Sequence, residues 1–197
     1  MKSRVVAYLS LTLLILEIAL VFVSWLLSAS MTASVRSLLS PEGIRWLCGH
    51  FVDILLSPLL IWIILLSMAW GCLVKSKLTC AFTRRESYRQ RFALRATLAL
   101  FIIYVGIVIW LSVVPHAILL SATGGLWPSP FSRAFIPLLS LGVILLSVIY
   151  GTLSRSFCSL SDVTDSMSMG IAKAAPLMVV YVLLMQLIES VHFVFYS

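Results

Sequence analysis

Charged residues are scarce in this chain, and acidic residues are the scarcest. Only 11% of the 197 residues are charged and only seven are Asp or Glu, whereas 61% are hydrophobic and the mean hydropathy is +1.11. Soluble domains carry about 25% charged residues, so this composition excludes an ordinary soluble domain and indicates an integral membrane protein. Because lipid offers no hydrogen-bond partners to an open backbone, the spans are predicted to be helices.

Cysteine and recognisable catalytic patterns are also sparse. The four cysteines are Cys48, Cys72, Cys80 and Cys158, and no two are suitably placed for a disulfide under the predicted topology. Cys48 and His50 are ligand types, but two ligands without a partner cluster make a poor metal site, so no metal is predicted. Without a Ser/His/Asp order, a Gly-rich phosphate loop or a convincing pair of acids, neither an enzyme nor a cofactor is predicted.

The long apolar runs are what the chain has instead. Crossing a hydrocarbon core of roughly 30 Å takes about 20 helical residues. Five segments are long and apolar enough to cross it. They are residues 5–27, 54–74 with Pro58 inside it, 96–120, 134–153 and 174–195. A cleaved signal peptide is the alternative interpretation of the first segment, but its apolar run is longer than a signal core. The predicted fold is a single all-α membrane domain over residues 1–197, with about five transmembrane helices and two amphipathic surface helices.

The basic residues predict the orientation of these spans. Eleven of the fourteen Lys and Arg residues fall on one predicted face, and seven of these lie in the loop at residues 75–95. The positive-inside rule places this basic loop and the N-terminus in the cytoplasm and the C-terminus outside. The pI of 9.6 then reflects topology and contact with the anionic headgroups of the lipid bilayer. No nucleic-acid partner is predicted.

The first predicted surface helix follows the first span. In "SLLSPEGIRW", residues 37–46, Ser40 is a good N-cap, Pro41 suits the first helical position and Glu42 meets the positive end of the helix dipole. We interpret this stretch as a structural corner between two spans, in preference to a site.

The second predicted surface helix covers residues 156–175. Asp162 belongs to its predicted capped start, and Pro176 is predicted to interrupt the helix at the entry to the last span. In the fourth span, Ser147 and Gly151 have the small-xxx-small spacing that permits close contact between helices.

Few polar residues are predicted at membrane depth. Glu17 lies in the middle of the first span, where an acid costs about 3 kcal/mol to insert. It is either a proton-binding carboxyl or a buried carboxyl hydrogen-bonded to another helix or subunit, and the lack of an obvious cationic partner favours the second alternative. Gln186 lies near the middle of the fifth span. Glu189 and His192 share a helix face, as a proton-handling pair or as an interfacial pair near water.

Several stretches resemble the p-aminobenzoyl-glutamate transporter (AbgT) family in their order and spacing. Besides the corner, they are "LWPSPFSRAFIPLL" at 126–139, "VIYG" at 148–151, "SLSDVTDSMSMGIAKAAP" at 159–176 and "LLMQLI" at 183–188. The structural positions that match the family are Ser40, Pro41, Glu42, Gly43, Arg45, Trp46, Pro128, Pro130, Phe131, Pro137, Tyr150, Gly151 and Asp162. Gln186 is the only polar family position within a span, and Glu17 and Glu189 do not look like family residues.

The resemblance implies an AbgT-like scaffold in the bacterial inner membrane. It also implies transport of p-aminobenzoyl-glutamate and related aromatic compounds, driven by an ion gradient. The family has a hairpin region where this chain has the basic loop, and a second one after the Gln-containing helix, so the chain is interpreted as a short form lacking both. We predict a reduced scaffold or partner subunit of a membrane complex related to this transport. The alternative is a small secondary transporter that acts as a homo-oligomer or with a second membrane subunit.

Overall fold

The chain is helical wherever its structure is described. The computed structural model describes residues 2–30, 36–78, 88–113 and 130–196, and these ranges contain helices and no strand. The helices are α1 (Lys2–Ala29), α2 (Pro41–Leu55), α3 (Pro58–Ser76), α4 (Tyr88–Val113), α5 (Pro130–Leu153) and α6 (Leu160–Tyr196). All of them except α2 are long and apolar enough to cross a membrane. The predicted all-α membrane fold with about five spans is thereby confirmed.

The chain divides into two compact units. Unit 1 consists of Met1–Ile61 and Ala174–Ser197, and unit 2 is Trp62–Lys173. Unit 1 therefore holds α1, α2 and the C-terminal half of α6, while unit 2 holds most of α3, all of α4 and α5, and the start of α6.

Pro58 begins a helix instead of lying inside one. The sequence predicts a span over residues 54–74, but α2 continues to Leu55, and two non-helical residues, Leu56 and Ser57, precede α3. Proline has no N–H, and its ring clashes with the carbonyl four residues earlier in a helix. It is therefore well suited to the first helical position, which it occupies here.

Pro176 lies inside α6 and does not end it. The sequence predicts a surface helix at residues 156–175 and a separate span after it, whereas the structure has one continuous helix of 37 residues. A helix of this length extends about 55 Å, which exceeds the roughly 30 Å of a hydrocarbon core. Transmembrane helices tolerate proline where neighbouring groups satisfy the freed backbone carbonyl, so one proline does not decide the helix boundary.

The fourth helix starts earlier than the predicted span. It begins at Tyr88 and not at residue 96, so Arg89, Arg91 and Arg95 of the predicted basic loop belong to its first turns. The remainder of that loop at residues 79–87, and the end of the predicted span at residues 114–120, lie outside the described residues.

A capping box starts α6. The Asp162 carboxylate accepts the backbone N–H groups of Cys158 at 2.8 Å and Ser159 at 3.0 Å, and the Ser161 N–H donates to Ser159 Oγ at 3.1 Å. These bonds satisfy donors that the first helical turn leaves without intrahelical partners. The helix is therefore capped at Ser159, with Asp162 in its first turn.

Candidate functional site

The corner between α1 and α2, defined here as residues 36–46, is held by its own hydrogen bonds. Ser40 Oγ accepts the Gly43 N–H at 3.1 Å and donates to the Ser37 carbonyl at 2.7 Å. Pro41 occupies the first helical position and Glu42 lies in the first turn. Local sequence chemistry therefore starts α2, in the way that the sequence predicts.

Gly43 closes the corner because it has no side chain. A Cβ atom at this position would lie 2.6 Å from the carbonyl oxygens of both Ser37 and Leu38. Distances below 3.0 Å to backbone atoms require the backbone to shift. Any larger residue at position 43 would therefore open the turn that precedes α2.

The corner also joins the C-terminal ends of α1 and α6 within unit 1. The Arg36 N–H donates to the Val194 carbonyl at 3.3 Å, and the Leu38 N–H donates to Ser24 Oγ at 3.4 Å. The Val194 carbonyl is one of the last four of its helix, which lack intrahelical donors. One three-residue stretch thus contacts both helices near their C-termini.

A small core lies beneath these bonds. Buried Leu38, Phe193 and Val194 form it, and partly buried Leu20, Val21 and Trp46 pack against it. The Trp46 ring stacks on Phe193, with centroids 4.5 Å apart and planes 20° apart, and His50 stacks near Trp46 at 6.2 Å. Aromatic pairs at this separation add to the packing energy beyond their buried area.

Replacing Ser40 by alanine is expected to lower the free energy of unfolding by about 1 kcal/mol, because an N-cap acceptor is lost. Thermal unfolding of the purified chain in detergent measures the change. Ser168→Ala is the matched control, since Ser168 is exposed and its Oγ donates to the Thr164 carbonyl of its own helix, and it should leave stability unchanged. Equal effects of both substitutions would show that the cap contributes nothing specific.

One stripe of α1 is less exposed than the rest of the helix. The stripe recurs every three or four residues and consists of Ser10, Leu13, Glu17, Leu20, Val21 and Ser24, all partly or fully buried. The large apolar residues around it, such as Leu14, Ile18 and Phe22, are about half exposed or more. Glu17 therefore lies on the partly buried stripe of α1.

The C-terminal half of α6 carries the second buried stripe of unit 1, which contains Tyr181, Gln186, Ser190, Phe193 and Val194. Gln186 is 6% exposed, and its buried Oε1 atom has no hydrogen-bond partner among the residues that the structure describes. On the same stripe, the Tyr181 hydroxyl is hydrogen-bonded to Ser57 Oγ.

The predicted Glu189 and His192 pair lies beside that stripe. Glu189 is partly buried, whereas His192 is exposed and its ring stacks on Tyr196 with centroids 5.7 Å apart. The structure thus places His192 in an aromatic contact at the end of α6.

A backbone contact in unit 2, which the sequence analysis missed, joins α3 to the start of α6. A Cβ atom at Gly71 would collide with the Ser166 carbonyl oxygen and would lie 2.9 Å from Gly170 Cα. A Cβ atom at Gly170 would collide with the Ser67 carbonyl oxygen. Two small-xxx-small pairs, at residues 67 and 71 and at residues 166 and 170, therefore face each other. Their spacing is visible in the sequence and is the signal that could have found them.

Side-chain bonds lie beside this crossing. Cys72 is fully buried, with its Sγ 3.3 Å from Ser166 Oγ. One turn further, Lys75 Nζ donates to the Asp162 carbonyl at 3.2 Å. Both bonds lie on the same side of the two glycines, towards the end of α3 and the start of α6.

A cavity of about 250 Å³ lies between α4 and α5. Its lining is apolar and includes Phe101, Val105, Phe135 and Leu139. The Tyr104 hydroxyl at its edge donates to the Leu138 carbonyl at 2.6 Å, so its polar group is already engaged. The chemistry of this cavity suits a hydrocarbon group.

Residues 74–194 match the model of the AbgT transporter family. This chain belongs to the AbgT transporter family. The match covers more than half of the chain, and it includes most of the family-like stretches, although the corner at residues 37–46 precedes it. Searches among curated proteins and among solved structures return no match.

Several of the AbgT-like positions lie in α5, where they have structural roles. Tyr150 is buried, and a Cβ atom at Gly151 would collide with the Phe157 ring, so the turn after α5 folds back against Gly151. Ser147 is fully buried, and within the described ranges its Oγ atom has no hydrogen-bond partner. Pro137 lies inside α5.

The other predicted family positions are distributed as follows. Arg45 is exposed on α2, Trp46 packs in the core of unit 1, and Pro130 and Phe131 are the first two residues of α5. Pro128 lies outside the described residues.

The possible metal ligands do not gather in the parts of the chain that the structure describes. Within those ranges no group of three or more His, Cys, Asp and Glu side chains could hold a metal ion. Cys48 and His50 are both exposed on α2.

Proposed function

We propose that this AbgT-family chain is a scaffold or partner subunit of an inner-membrane complex related to p-aminobenzoyl-glutamate transport. Family membership supports a transporter-related role in the membrane. The observation that carries the scaffold assignment is the crossing of α3 and α6 at Gly71 and Gly170. Backbone atoms in direct contact fix two helices against each other, which is the property that a frame requires.

The cavity in unit 2 supports the same assignment. p-Aminobenzoyl-glutamate carries the carboxylates of glutamate, and an ionised carboxylate without a partner is very costly in an apolar site. The lining of the cavity between α4 and α5 is apolar, and its nearest hydroxyl, on Tyr104, is hydrogen-bonded. An acyl chain or an apolar side chain therefore fits this space better than the substrate does.

The surface of α1 supports a partner in the membrane. No residue of its most apolar window is buried within the chain. Its exposed side chains include Phe22, Trp25 and Leu26, each at least half exposed. A protein partner would cover part of this helix, and lipid would cover the rest. The partner would be a second membrane subunit or another copy of the chain. We also propose that the N-terminus is cytoplasmic and the C-terminus outside, as the distribution of basic residues supports.

The second candidate function is a small secondary transporter driven by an ion gradient. The observation that favours it is the presence of two polar side chains within apolar helices, namely partly buried Glu17 on α1 and buried Gln186 on α6. Ionisable groups within membrane helices mark ion and substrate pathways by default.

Two measurements distinguish these functions. Purification in mild detergent with cross-linking is expected to recover the chain with a stoichiometric membrane partner or with further copies of itself. Liposomes that contain the chain alone are expected to take up no more p-aminobenzoyl-glutamate than empty liposomes. Ion-gradient-dependent uptake by the lone chain, abolished by Glu17→Gln and retained in Glu189→Gln, would overturn the scaffold assignment and establish the transporter.

A further inference from the structure

A second apolar cavity adjoins the one between α4 and α5. The first cavity measures about 250 Å³, and the second, of about 240 Å³, lies nearer the start of α4, where Leu78, Leu94 and Thr97 line it. Phe101 and Leu146 line both cavities, so the two lie next to each other within unit 2. We call the pair the apolar groove.

The described lining of the apolar groove offers no free side-chain hydroxyl. Its hydroxyl groups belong to Thr97 and Tyr104, and both are engaged within the protein. Thr97 Oγ1 donates to the Ala93 carbonyl at 2.8 Å. The Tyr104 hydroxyl donates to the Leu138 carbonyl at 2.6 Å. Because burying an unpaired polar group is costly, the groove suits a ligand whose inserted part is hydrocarbon.

The groove opens towards the surroundings of the chain. At its rim, Leu98 and Phe101 on α4 and Leu139 on α5 are each about half exposed. Both helices are long and apolar enough to cross a membrane, so the surroundings at this depth are acyl chains. From Leu94 to Ile109 the groove follows about 22 Å of α4, which exceeds the roughly 15 Å of hydrocarbon in one leaflet. An acyl chain from one leaflet can therefore lie along it.

Basic residues lie at the end of the groove that Leu78 and Leu94 line. Lys77 directly precedes Leu78, and Arg91 lies one turn before Leu94 on the same face of α4. Arg95 follows one turn after Arg91, and all three basic side chains are exposed. The helices α3, α4 and α5 contain no Asp or Glu. These helices therefore bring only positive charge to this end of the groove.

We propose that the apolar groove binds an acyl chain of one anionic phospholipid, with the lipid phosphate beside Arg91 and Lys77. A guanidinium group presents several N–H donors in a geometry that matches phosphate oxygens. Side chains on a helix lean towards its N-terminus, which carries the Arg91 guanidinium from the hydrocarbon to the level of the headgroups. A zwitterionic lipid offers the same chain but adds an ammonium group among these cations, so the site prefers the anionic lipid. This site goes beyond the proposed function, because it is compatible with a scaffold and with a transporter alike.

Native mass spectrometry of the full chain, purified in mild detergent, tests the proposal with two lipids that share their acyl chains. Dioleoyl phosphatidylglycerol is expected to bind about tenfold more tightly than dioleoyl phosphatidylcholine, since several basic residues contribute. Arg91→Gln is expected to weaken phosphatidylglycerol binding about fivefold and to leave phosphatidylcholine binding unchanged. Arg89→Gln is the matched control, because Arg89 lies two residues away on nearly the opposite face of α4, and it should keep the preference of the parent.

A second pair of variants tests the apolar groove itself. Leu139→Trp places a larger ring at the rim and is expected to weaken the binding of both lipids about tenfold, as the loss of two methylene contacts would. Leu141→Trp adds the same ring on nearly the opposite face of α5, at a side chain that is 51% exposed against 47% for Leu139, and should leave both affinities unchanged. Val143→Phe narrows the lining from within, and it takes the place of Leu139→Trp if that variant does not fold.

The proposal is overturned if the two lipids bind equally, if Arg89→Gln acts like Arg91→Gln, or if neither groove variant weakens binding. Glycerol phosphate, which carries a phosphate without acyl chains, is expected not to displace the lipid, and displacement by it would contradict the groove as the binding site. Uptake of p-aminobenzoyl-glutamate does not enter these measurements, so failure of the lipid site and failure of the proposed function are distinguishable.

Discussion

Gly71→Ala is expected to lower the free energy of unfolding by about 3 kcal/mol, because the added Cβ atom overpacks a contact between two backbones. The Ser166 carbonyl and Gly170 Cα cannot rotate away as a side chain could. Cys72, fully buried beside the crossing, reports the loss. In a variant with Cys48, Cys80 and Cys158 replaced by serine, maleimide labelling of Cys72 should accelerate about 100-fold, as 1.4 kcal/mol corresponds to a factor of ten.

Gly106→Ala is the matched control for this substitution. Gly106 lies within α4, and apart from the backbone of its own helix a Cβ atom there would meet no described atom within 4 Å. Alanine is the better helix former by about 0.8 kcal/mol, so this variant should be as stable as the parent or slightly more stable. Gly170→Ala should reproduce the Gly71→Ala effect from the other helix. Unchanged labelling of Cys72 in both crossing variants would contradict the backbone contact.

Phe193→Ala is expected to lower the free energy of unfolding by about 3 kcal/mol, since it leaves a cavity in the small core of unit 1 and removes the ring that stacks on Trp46. Thermal unfolding of the purified chain in detergent measures this loss. The core holds the corner to α1 and α6, so proteolysis between α1 and α2 should also become faster.

Phe195→Ala removes the same ring two residues along the helix, at a side chain that is 50% exposed. This substitution is expected to lower the free energy of unfolding by about 0.5 kcal/mol, which is within the usual range for surface substitutions. If Phe195→Ala were as destabilising as Phe193→Ala, the core of unit 1 would not be centred on Phe193.

Local chemistry explains where the sequence predictions agree with the structure and where they differ. The start of α2 follows from the Ser40 cap and from the preference of proline for the first helical position, which Pro41 occupies. The same preference, applied to Pro58, would have predicted the start of α3 correctly. Pro176 breaks no helix, and the sequence around it does not show whether neighbouring groups satisfy the freed carbonyl.

For the candidate sites, too, the sequence predicts some features and leaves others to the tertiary structure. Gln186 could be chosen from the sequence as a polar residue within a span, but its lack of a partner could not, because that depends on which atoms of unit 1 surround it. The spacing of Ser67 with Gly71, and of Ser166 with Gly170, is present in the sequence. Such spacings are common in apolar helices, and nothing local shows which two will meet.

The sequence by itself determined that this AbgT-family protein is helical and spans a membrane, because apolar length and backbone hydrogen bonding in lipid leave few alternatives. Only the tertiary structure decided that Gly71 meets Gly170 and that Gln186 is buried on α6. The reason is that a helix forms from bonds within its own segment, whereas the face it buries depends on atoms far away along the chain.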